Sequence, residues 1–277
     1  MARTTPTTEL LAALRGDRAS RPRVDPMLAG GLRAWLEDEL AEISAGAPCD
    51  GPIHLTAWQI AQPELDRDPE ADQAALSVLV HALVAQHLAF GGVLEPLADA
   101  VDALAARNAH APLLERISAL DTAATELLAA ELAAHDAVIA SGIGRIPTSW
   151  LPRSGVPIAL DLCGGRLRAS TTVDLLVGAP AGAVSSTCLL DVVTTPIGDH
   201  HAVQLGAMAL IETIRSGAAP LRVAALSTAT GEHLVLDVDD ALLSRSLRRL
   251  VEVAVAVACA PLTTATALSH STGRLHA

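Results

Sequence analysis

Two short strands are encoded by Thr172-Val173-Asp174-Leu175-Leu176-Val177-Gly178 and by Cys188-Leu189-Leu190-Asp191-Val192-Val193-Thr194-Thr195-Pro196. Each strand holds one acid among β-branched and aliphatic residues, and turn-forming glycine and proline follow the first. Neighbouring strands of this kind bring two carboxylates together in an otherwise apolar pocket, where hard divalent cations find oxygen ligands. We therefore expect Asp174 and Asp191 to face one another across adjacent strands, close enough to share one cation.

A helix and a hairpin are predicted downstream of these strands. We expect Asp199 to cap a helix that ends at Gly217, and the segment between them contains Gln204-Leu205-Gly206-Ala207-Met208. Residues 221–227 and 233–238 are apolar and flank a turn-rich junction at 228–232, which is typical of a β-hairpin.

This order of elements resembles the RecB-like branch of the PD-(D/E)XK nuclease superfamily, over roughly residues 157–258. In that branch the first strand carries Asp, the second Asp-x-Lys, and the helix Gln-x-x-x-Tyr. The resemblance implies an α/β fold, with a restriction-endonuclease-like mixed sheet flanked by helices and an N-terminal helical region. It also implies hydrolysis of DNA with Mg²⁺ or Mn²⁺ held by Asp174 and Asp191, with the Val192 carbonyl as a third ligand and Gln204 in a supporting role.

Two positions depart from the family pattern: Val193 stands at the lysine position and Met208 at the tyrosine position. Side chains at i and i+2 of a strand point to the same face, so a lysine there would stand beside Asp191 and stabilise charge developing on the phosphate. Losing one such group costs on the order of 10²–10³ in rate. We therefore expect a nuclease-like protein that is weakly active or inactive. Candidate substitutes, by proximity in sequence, are Arg166, Arg168, Arg215, His200 and His201.

A predicted helix at about 73–90 contains His81, which shares one helical arc with Gln73, Ser77 and His87. In one interpretation the arc is simply the more solvent-exposed face of this helix. In the other, His81 matches the helical histidine near the metal in RecB-like nucleases and is a further ligand.

Composition restricts the kinds of partner. The formal net charge is −12 and all 19 basic side chains are arginine, so broad attachment to nucleic-acid phosphates is not expected, although a local basic groove is compatible with this charge. Arg245, Arg248 and Arg249 form the densest basic group, which is either a solvated helix face or a phosphate contact. The sequence is compatible with DNA and with a protein as the partner. The alternative function is a non-catalytic interaction or scaffold protein with the same fold.

Metal clusters built on cysteine and membrane insertion are not expected. Cys49, Cys163, Cys188 and Cys259 are dispersed, without a C-x-x-C pair. The apolar run at residues 10–14 is too short for a signal peptide, and the run at 253–262 is too short to span a bilayer. The sequence therefore predicts a soluble cytoplasmic protein with no membrane partner.

The predicted organisation has four parts. Residues 1–24 form a mobile N-terminal arm, residues 25–150 a helical region, residues 151–262 the nuclease-like core, and residues 263–277 a polar tail. The helical region supplies the first core helix, at about 73–90, and further helices at 25–46, 96–107 and 112–139. Residues 53–60 are predicted to be extended.

Overall fold

Runs rich in apolar residues predict the strands, and a computed structural model shows their bounds. The structure describes residues 5–6, 10–15, 24–25, 27–46, 52–62, 71–178, 180–181, 184–185 and 187–259. The strands are β1 (Thr5–Pro6), β2 (Ile53–Thr56), β3 (Arg153–Leu162), β4 (Leu167–Val177), β5 (Pro180–Ala181), β6 (Val184–Ser185), β7 (Cys188–Val193), β8 (Arg222–Ser227) and β9 (Glu232–Asp237).

The helices follow the predicted 3.6-residue periodicity. They are α1 (Leu10–Arg15), α2 (Leu28–Gly46), α3 (Ala57–Ala61), α4 (Ala71–Phe90), α5 (Pro96–Ala106), α6 (Ala111–Ser118), α7 (Thr122–Gly142), α8 (Asp199–Ser216) and α9 (Asp240–Cys259). The prediction of an α/β fold, with a mixed sheet flanked by helices and an N-terminal helical region, is confirmed.

Within the described residues, the main sheet has the order β1-β9-β8-β7-β4-β2, with β3 also paired to β4. Strands β2 and β4, and strands β7 and β8, are parallel, and the other pairs are antiparallel. Ala169 pairs with Leu55 of β2 and Leu160 of β3, while Leu175 pairs with Leu190 of β7 and Ser154 of β3. Strands β2 and β7 therefore lie one after the other along the same edge of β4, and the edge at residues 171–174 lies between them.

Helices cover both faces of this sheet. One core joins the sheet to α2, α3, α8 and α9, and the other joins it to α1, α4, α5 and α7. Along β7, Leu189 belongs to the first core, whereas Leu190 and Val192 belong to the second. Because side chains alternate along a strand, Asp191 is directed toward the face that carries α8.

One predicted helix is divided in the structure. The sequence analysis predicts a continuous helix over 112–139, but α6 ends at Ser118 and α7 begins at Thr122. Asp121 explains the break, since its carboxylate accepts a hydrogen bond from Ala124 N at 2.8 Å and its extended backbone cannot continue α6. The predicted extended segment 53–60 likewise ends early, because Thr56 caps α3 by accepting a hydrogen bond from Gln59 N.

Two described segments of the predicted N-terminal arm, residues 1–24, lie against the rest of the protein. Strand β1 pairs with β9, and Leu10 and Leu14 of α1 are buried in the second core. The Leu14 carbonyl accepts a hydrogen bond from the buried Arg222 side chain at 3.0 Å. The predicted polar tail at 263–277 lies outside the described residues.

Helix α4 is apolar enough along Gln73–Phe90 to span a bilayer by length and composition alone. It packs against α5, α7 and the sheet, and residues such as Leu79 and Leu83 are fully buried there. Core helices of soluble proteins have the same composition, so this single helix agrees with a soluble fold.

Candidate functional site

Asp174 and Asp191 stand where β4 and β7 separate. The last pair of this ladder is Leu175 with Leu190, and one further step of the same register sets Asp174 opposite Asp191. The Val192 N–H donates a hydrogen bond to the Asp174 carboxylate, with 2.7 Å between N and Oδ2. The two acids therefore face one another across adjacent strands, and Asp191 is only 8% exposed.

Helix α4 brings His81 to this pair from the opposite side of the sheet. Its Nε2 lies 3.3 Å from Asp174 Oδ2 and 3.1 Å from the Val192 carbonyl oxygen. Burial lowers the pKa of His81, but the charge of Asp174, the hydrogen bond to it, and the charge of Asp191 together raise the pKa to about 9. His81 is therefore cationic at neutral pH and offsets part of the negative charge of the pair.

Gln204, in the second turn of α8, reaches Asp191. Its Nε2 donates a hydrogen bond to Asp191 Oδ2 at 2.9 Å, whereas its Oε1 is buried and has no hydrogen-bond partner among the described residues. A buried amide oxygen without a donor costs free energy.

The electrostatics of the pair favour a bound proton or cation. Burial and the neighbouring Asp174 carboxylate raise the pKa of Asp191 well above its usual range, against the opposite effects of His81 and Gln204. Two facing carboxylates and the Val192 carbonyl are the hard oxygen donors that Mg²⁺ and Mn²⁺ prefer. The donor set thus fits such an ion chemically. Even so, the described part of the chain contains no preformed group of three or more His, Cys, Asp or Glu side chains that could hold a metal ion.

Val193 supplies only hydrocarbon at the lysine position. Its side chain is half-buried, and its carbonyl oxygen accepts hydrogen bonds from Thr228 N at 2.8 Å and Thr228 Oγ1 at 3.1 Å. Thr228 Oγ1 lies in turn 2.7 Å from His135 Nδ1 of α7. The sequence analysis missed this chain of contacts, because His135 and Thr228 are far apart in sequence and neither belongs to a recognisable motif. Met208, at the tyrosine position, is fully buried in the core.

The three arginines considered as substitutes for the lysine are either paired with an acid or far from the carboxylate pair. Arg168 lies 3.7 Å from Asp161, and Arg215 makes two hydrogen bonds to the buried Glu212. Arg166 precedes β4 and so lies at the opposite end of that strand from Asp174. None of the three has a contact with Asp174 or Asp191 among the described residues.

The two histidines at the start of α8, His200 and His201, have lowered pKa values. Burial and the neighbouring His200 lower the pKa of His201 to about 4, and its Nδ1 accepts a hydrogen bond from Gly198 N at 2.9 Å. Burial also lowers the pKa of His200, whose ring packs edge-on against Trp58 with centroids 5.4 Å apart. Trp58 was not singled out from the sequence, since a lone tryptophan after a short apolar run carries no motif.

Comparisons with known proteins leave the family open. No protein-family model and no curated protein matches the chain. Among solved structures, the crystal structure of SSO0001 aligns over 82% of this chain and 85% of that chain, with 9% sequence identity and a TM-score of 0.31. A similarity this low supports no conclusion about function.

Proposed function

We propose that this chain is a PD-(D/E)XK nuclease-like protein of the RecB-like type, located in the cytoplasm, with weak or absent DNA phosphodiester hydrolysis. One observation carries the proposal. At the point where β4 and β7 separate, Asp174 faces Asp191, Gln204 of α8 binds Asp191, and His81 of α4 lies beside Asp174. Four residues from four elements thus meet in the order that the sequence resemblance implies.

The residues that would hold Mg²⁺ or Mn²⁺ are Asp174 and Asp191, with the Val192 carbonyl oxygen, and His81 would join them as a ligand only after losing its proton. A bound divalent cation would polarise a phosphoryl oxygen and lower the pKa of an attacking water. Gln204 fixes the orientation of the Asp191 carboxylate, and the Val192 N–H fixes that of Asp174.

Hydrolysis should be slow because none of the candidate substitutes reaches the lysine position, and the cation beside the pair, His81, is bound to Asp174 and to the Val192 carbonyl oxygen. The Val193 side chain carries no charge and no hydrogen-bond donor, and Arg168 and Arg215 are paired with Asp161 and Glu212. A missing group of this type costs on the order of 10²–10³ in rate.

A second candidate is a non-catalytic interaction protein that retains the fold. The observation in its favour is the turn between α4 and α5, where Phe90 is 79% and Leu94 96% exposed. Phe90 is the one phenylalanine of the chain, and large apolar side chains exposed together are typical of protein contacts.

The deciding experiment is cleavage of labelled single- and double-stranded DNA in Mn²⁺ or in chelator. We expect trace cleavage or none from the wild type, and more from Val193→Lys, because the ammonium would stand beside Asp191. Val193→Met is the matched control for side-chain length without charge. Efficient cleavage by the wild type that is abolished by Asp191→Ala would show that hydrolysis does not need a lysine at position 193. Equal activity of the lysine and methionine variants would favour the interaction protein.

A further inference from the structure

A groove of about 510 Å³ lies between α3, the start of α8, strand β9 and the first half of α9. Its lining is mostly apolar and includes Ala61, Val203 and Leu242, and two arginines, Arg245 and Arg249, also line it. We call it the α8–α9 groove. Cavities of this volume, with an apolar lining and a few polar groups, are the usual sites of small-molecule ligands. The groove shares no lining residue with the carboxylate pair.

The packing of α8 against α9 forms the wall of the groove. Gly206 of α8 lies so close to α9 that a Cβ added to it would overlap Ser246 Oγ, and Ser246 lines the groove. Ala202 and Val203, about one turn earlier on α8, line the groove as well. The two helices therefore touch at Gly206 and separate toward the start of α8. Because two packed helices form this wall, the groove is present before any ligand binds.

Arg245 carries a positive charge that no acid offsets in the described part of the chain. Its side chain is exposed and makes no hydrogen bond or ion pair there. Arg249 is partly engaged, since its Nε donates a hydrogen bond to the Ile60 carbonyl at 3.1 Å and its Nη1 lies 3.2 Å from Glu252 Oε2. Glu252 is 63% exposed, and a surface ion pair of this kind contributes little. Residues at i and i+4 are neighbours on a helix, so both guanidinium groups border the same part of the groove.

Both acids that line the groove are engaged by other groups. Asp237 Oδ1 lies 2.6 Å from Nε of the buried Arg222 side chain. Asp239 Oδ1 accepts a hydrogen bond from Leu242 N at 2.7 Å, at the N-terminus of α9, where the helix dipole favours a carboxylate. The groove therefore presents one unpaired positive charge, that of Arg245, beside its apolar wall.

We propose that the α8–α9 groove binds an amphiphilic carboxylate, with its hydrocarbon chain against the apolar wall and its carboxylate group on Arg245 and Arg249. A planar guanidinium group and a planar carboxylate form two parallel hydrogen bonds. One unpaired and one partly engaged guanidinium match a single negative charge better than the nearly double charge of a phosphate monoester. The inference goes beyond the proposed function and does not rest on it, because the groove and the carboxylate pair have no residue in common.

The test is isothermal titration calorimetry of the full chain with decanoate, octanoate, decanol and decyl phosphate, each in dilute solution without micelles. We expect saturable binding of decanoate. Octanoate should bind about tenfold more weakly, because it is shorter by two methylenes that would be buried in the groove. Decanol should bind at least about tenfold more weakly, because it lacks the charge that the arginines bind. Decyl phosphate should bind no more tightly than decanoate.

Arg245→Gln tests the position of the carboxylate group. It should weaken decanoate binding at least about tenfold and leave decanol binding unchanged, so that the preference for the acid disappears. Arg248→Gln is the matched control, since Arg248 is exposed on the same helix but does not line the groove, and it should change neither affinity. A loss of structure would weaken both ligands alike, so the ratio of the two Kd values reports on the charge alone.

Ala202→Phe tests the position of the hydrocarbon chain. The larger side chain would fill part of the groove, so it should weaken decanoate and decanol alike. Ala140→Phe is the matched control, because Ala140 is exposed on α7, which packs on the other face of the sheet. Thermal unfolding of each variant checks that it is folded.

Saturable decanoate binding that loses its preference over decanol in Arg245→Gln, and not in Arg248→Gln, would uphold the site. The inference is overturned by the absence of saturable binding, by equal affinities for decanoate and decanol, or by tighter binding of decyl phosphate. Equal effects of Arg245→Gln and Arg248→Gln, or decanoate binding that Ala202→Phe leaves unchanged, would overturn it as well. DNA cleavage in Mn²⁺ reports on the carboxylate pair and not on the groove, so the failure of the proposed function is distinguishable from the failure of this inference.

Discussion

Replacing Asp191 by asparagine should stabilise the protein in the absence of divalent cations. The variant keeps an oxygen that can accept the Gln204 hydrogen bond, but it removes a carboxyl group that is 8% exposed and faces Asp174. Burial and Asp174 raise the pKa of Asp191 in the folded state. The folded protein therefore holds a proton that the unfolded chain has released, and wild-type stability falls as pH rises from about 4 toward the raised pKa.

The size of the effect follows from linkage. Within that pH window, the advantage of Asp191→Asn should grow by up to about 1.4 kcal/mol per pH unit, and it should level off above the folded-state pKa. For a chain of this size, that corresponds to roughly 3 °C in Tm per pH unit. The direction is the opposite of that for an ordinary ion-paired aspartate, whose loss destabilises the fold.

The assay is thermal unfolding between pH 5 and pH 8, in chelator and in Mn²⁺. Asp161→Asn is the control, since Asp161 is 60% exposed and only 3.7 Å from Arg168. Saturating Mn²⁺ at ten times its Kd should add about 1.4 kcal/mol to the wild type and nothing to Asp191→Asn. A variant that is less stable than the wild type at every pH, and equally stabilised by Mn²⁺, would refute both the charge argument and the metal site.

Three further outcomes are expected. Gly206→Ala should lower the free energy of unfolding by about 1–3 kcal/mol, because the new Cβ would overlap Ser246 Oγ of α9. Adding Ser246→Gly to this variant should recover part of the loss. If urea unfolding shows that the losses of the two substitutions simply add, the overlap is not the cause. The pKa of His201 is lowered to about 4 in the folded protein, so the free energy of unfolding should fall by at most about 3 kcal/mol as the pH drops from 6.5 to 4. In His201→Gln the free energy of unfolding should lose that much less over the same pH range. Arg222→Met should cost about 1.5–3 kcal/mol by guanidinium-chloride unfolding and expose α1 to proteolysis, since the buried side chain binds both the half-exposed Asp237 and the Leu14 carbonyl. Unchanged proteolysis would show that α1 is held by other contacts.

Local patterns in the sequence were enough to predict most elements and the core of the candidate site. The spacing of apolar residues predicted the strands of Asp174 and Asp191. Asp199 and Gly217 placed the ends of α8 to within one residue, although Gly198 is the N-cap residue and Asp199 the first helical one. Gly217 adopts φ 77°, a conformation that favours glycine and ends the helix. These signals are readable because strand alternation, helix periodicity and capping act between residues close in sequence.

Pairing over long sequence distances could not be predicted in the same way. Nothing near Ile53 indicates that β2 joins the sheet beside β4, and nothing near Leu14 indicates that Arg222 binds its carbonyl from more than 200 residues away. Short segments with few apolar residues gain their order from such partners, so they look extended or mobile when considered alone.

The candidate site also combines features that the sequence determines with features that only the tertiary structure determines. The sequence by itself determined which acids are available, which strands carry them, and that Val193 replaces the lysine, because these depend on residue identity and the two-residue repeat of a strand. The tertiary structure alone placed His81 beside the pair, with its Nε2 3.3 Å from Asp174, and it alone brought Trp58 to His200. Contacts of this kind depend on how helices pack across a sheet, which is fixed by the whole core and not by the residues that meet.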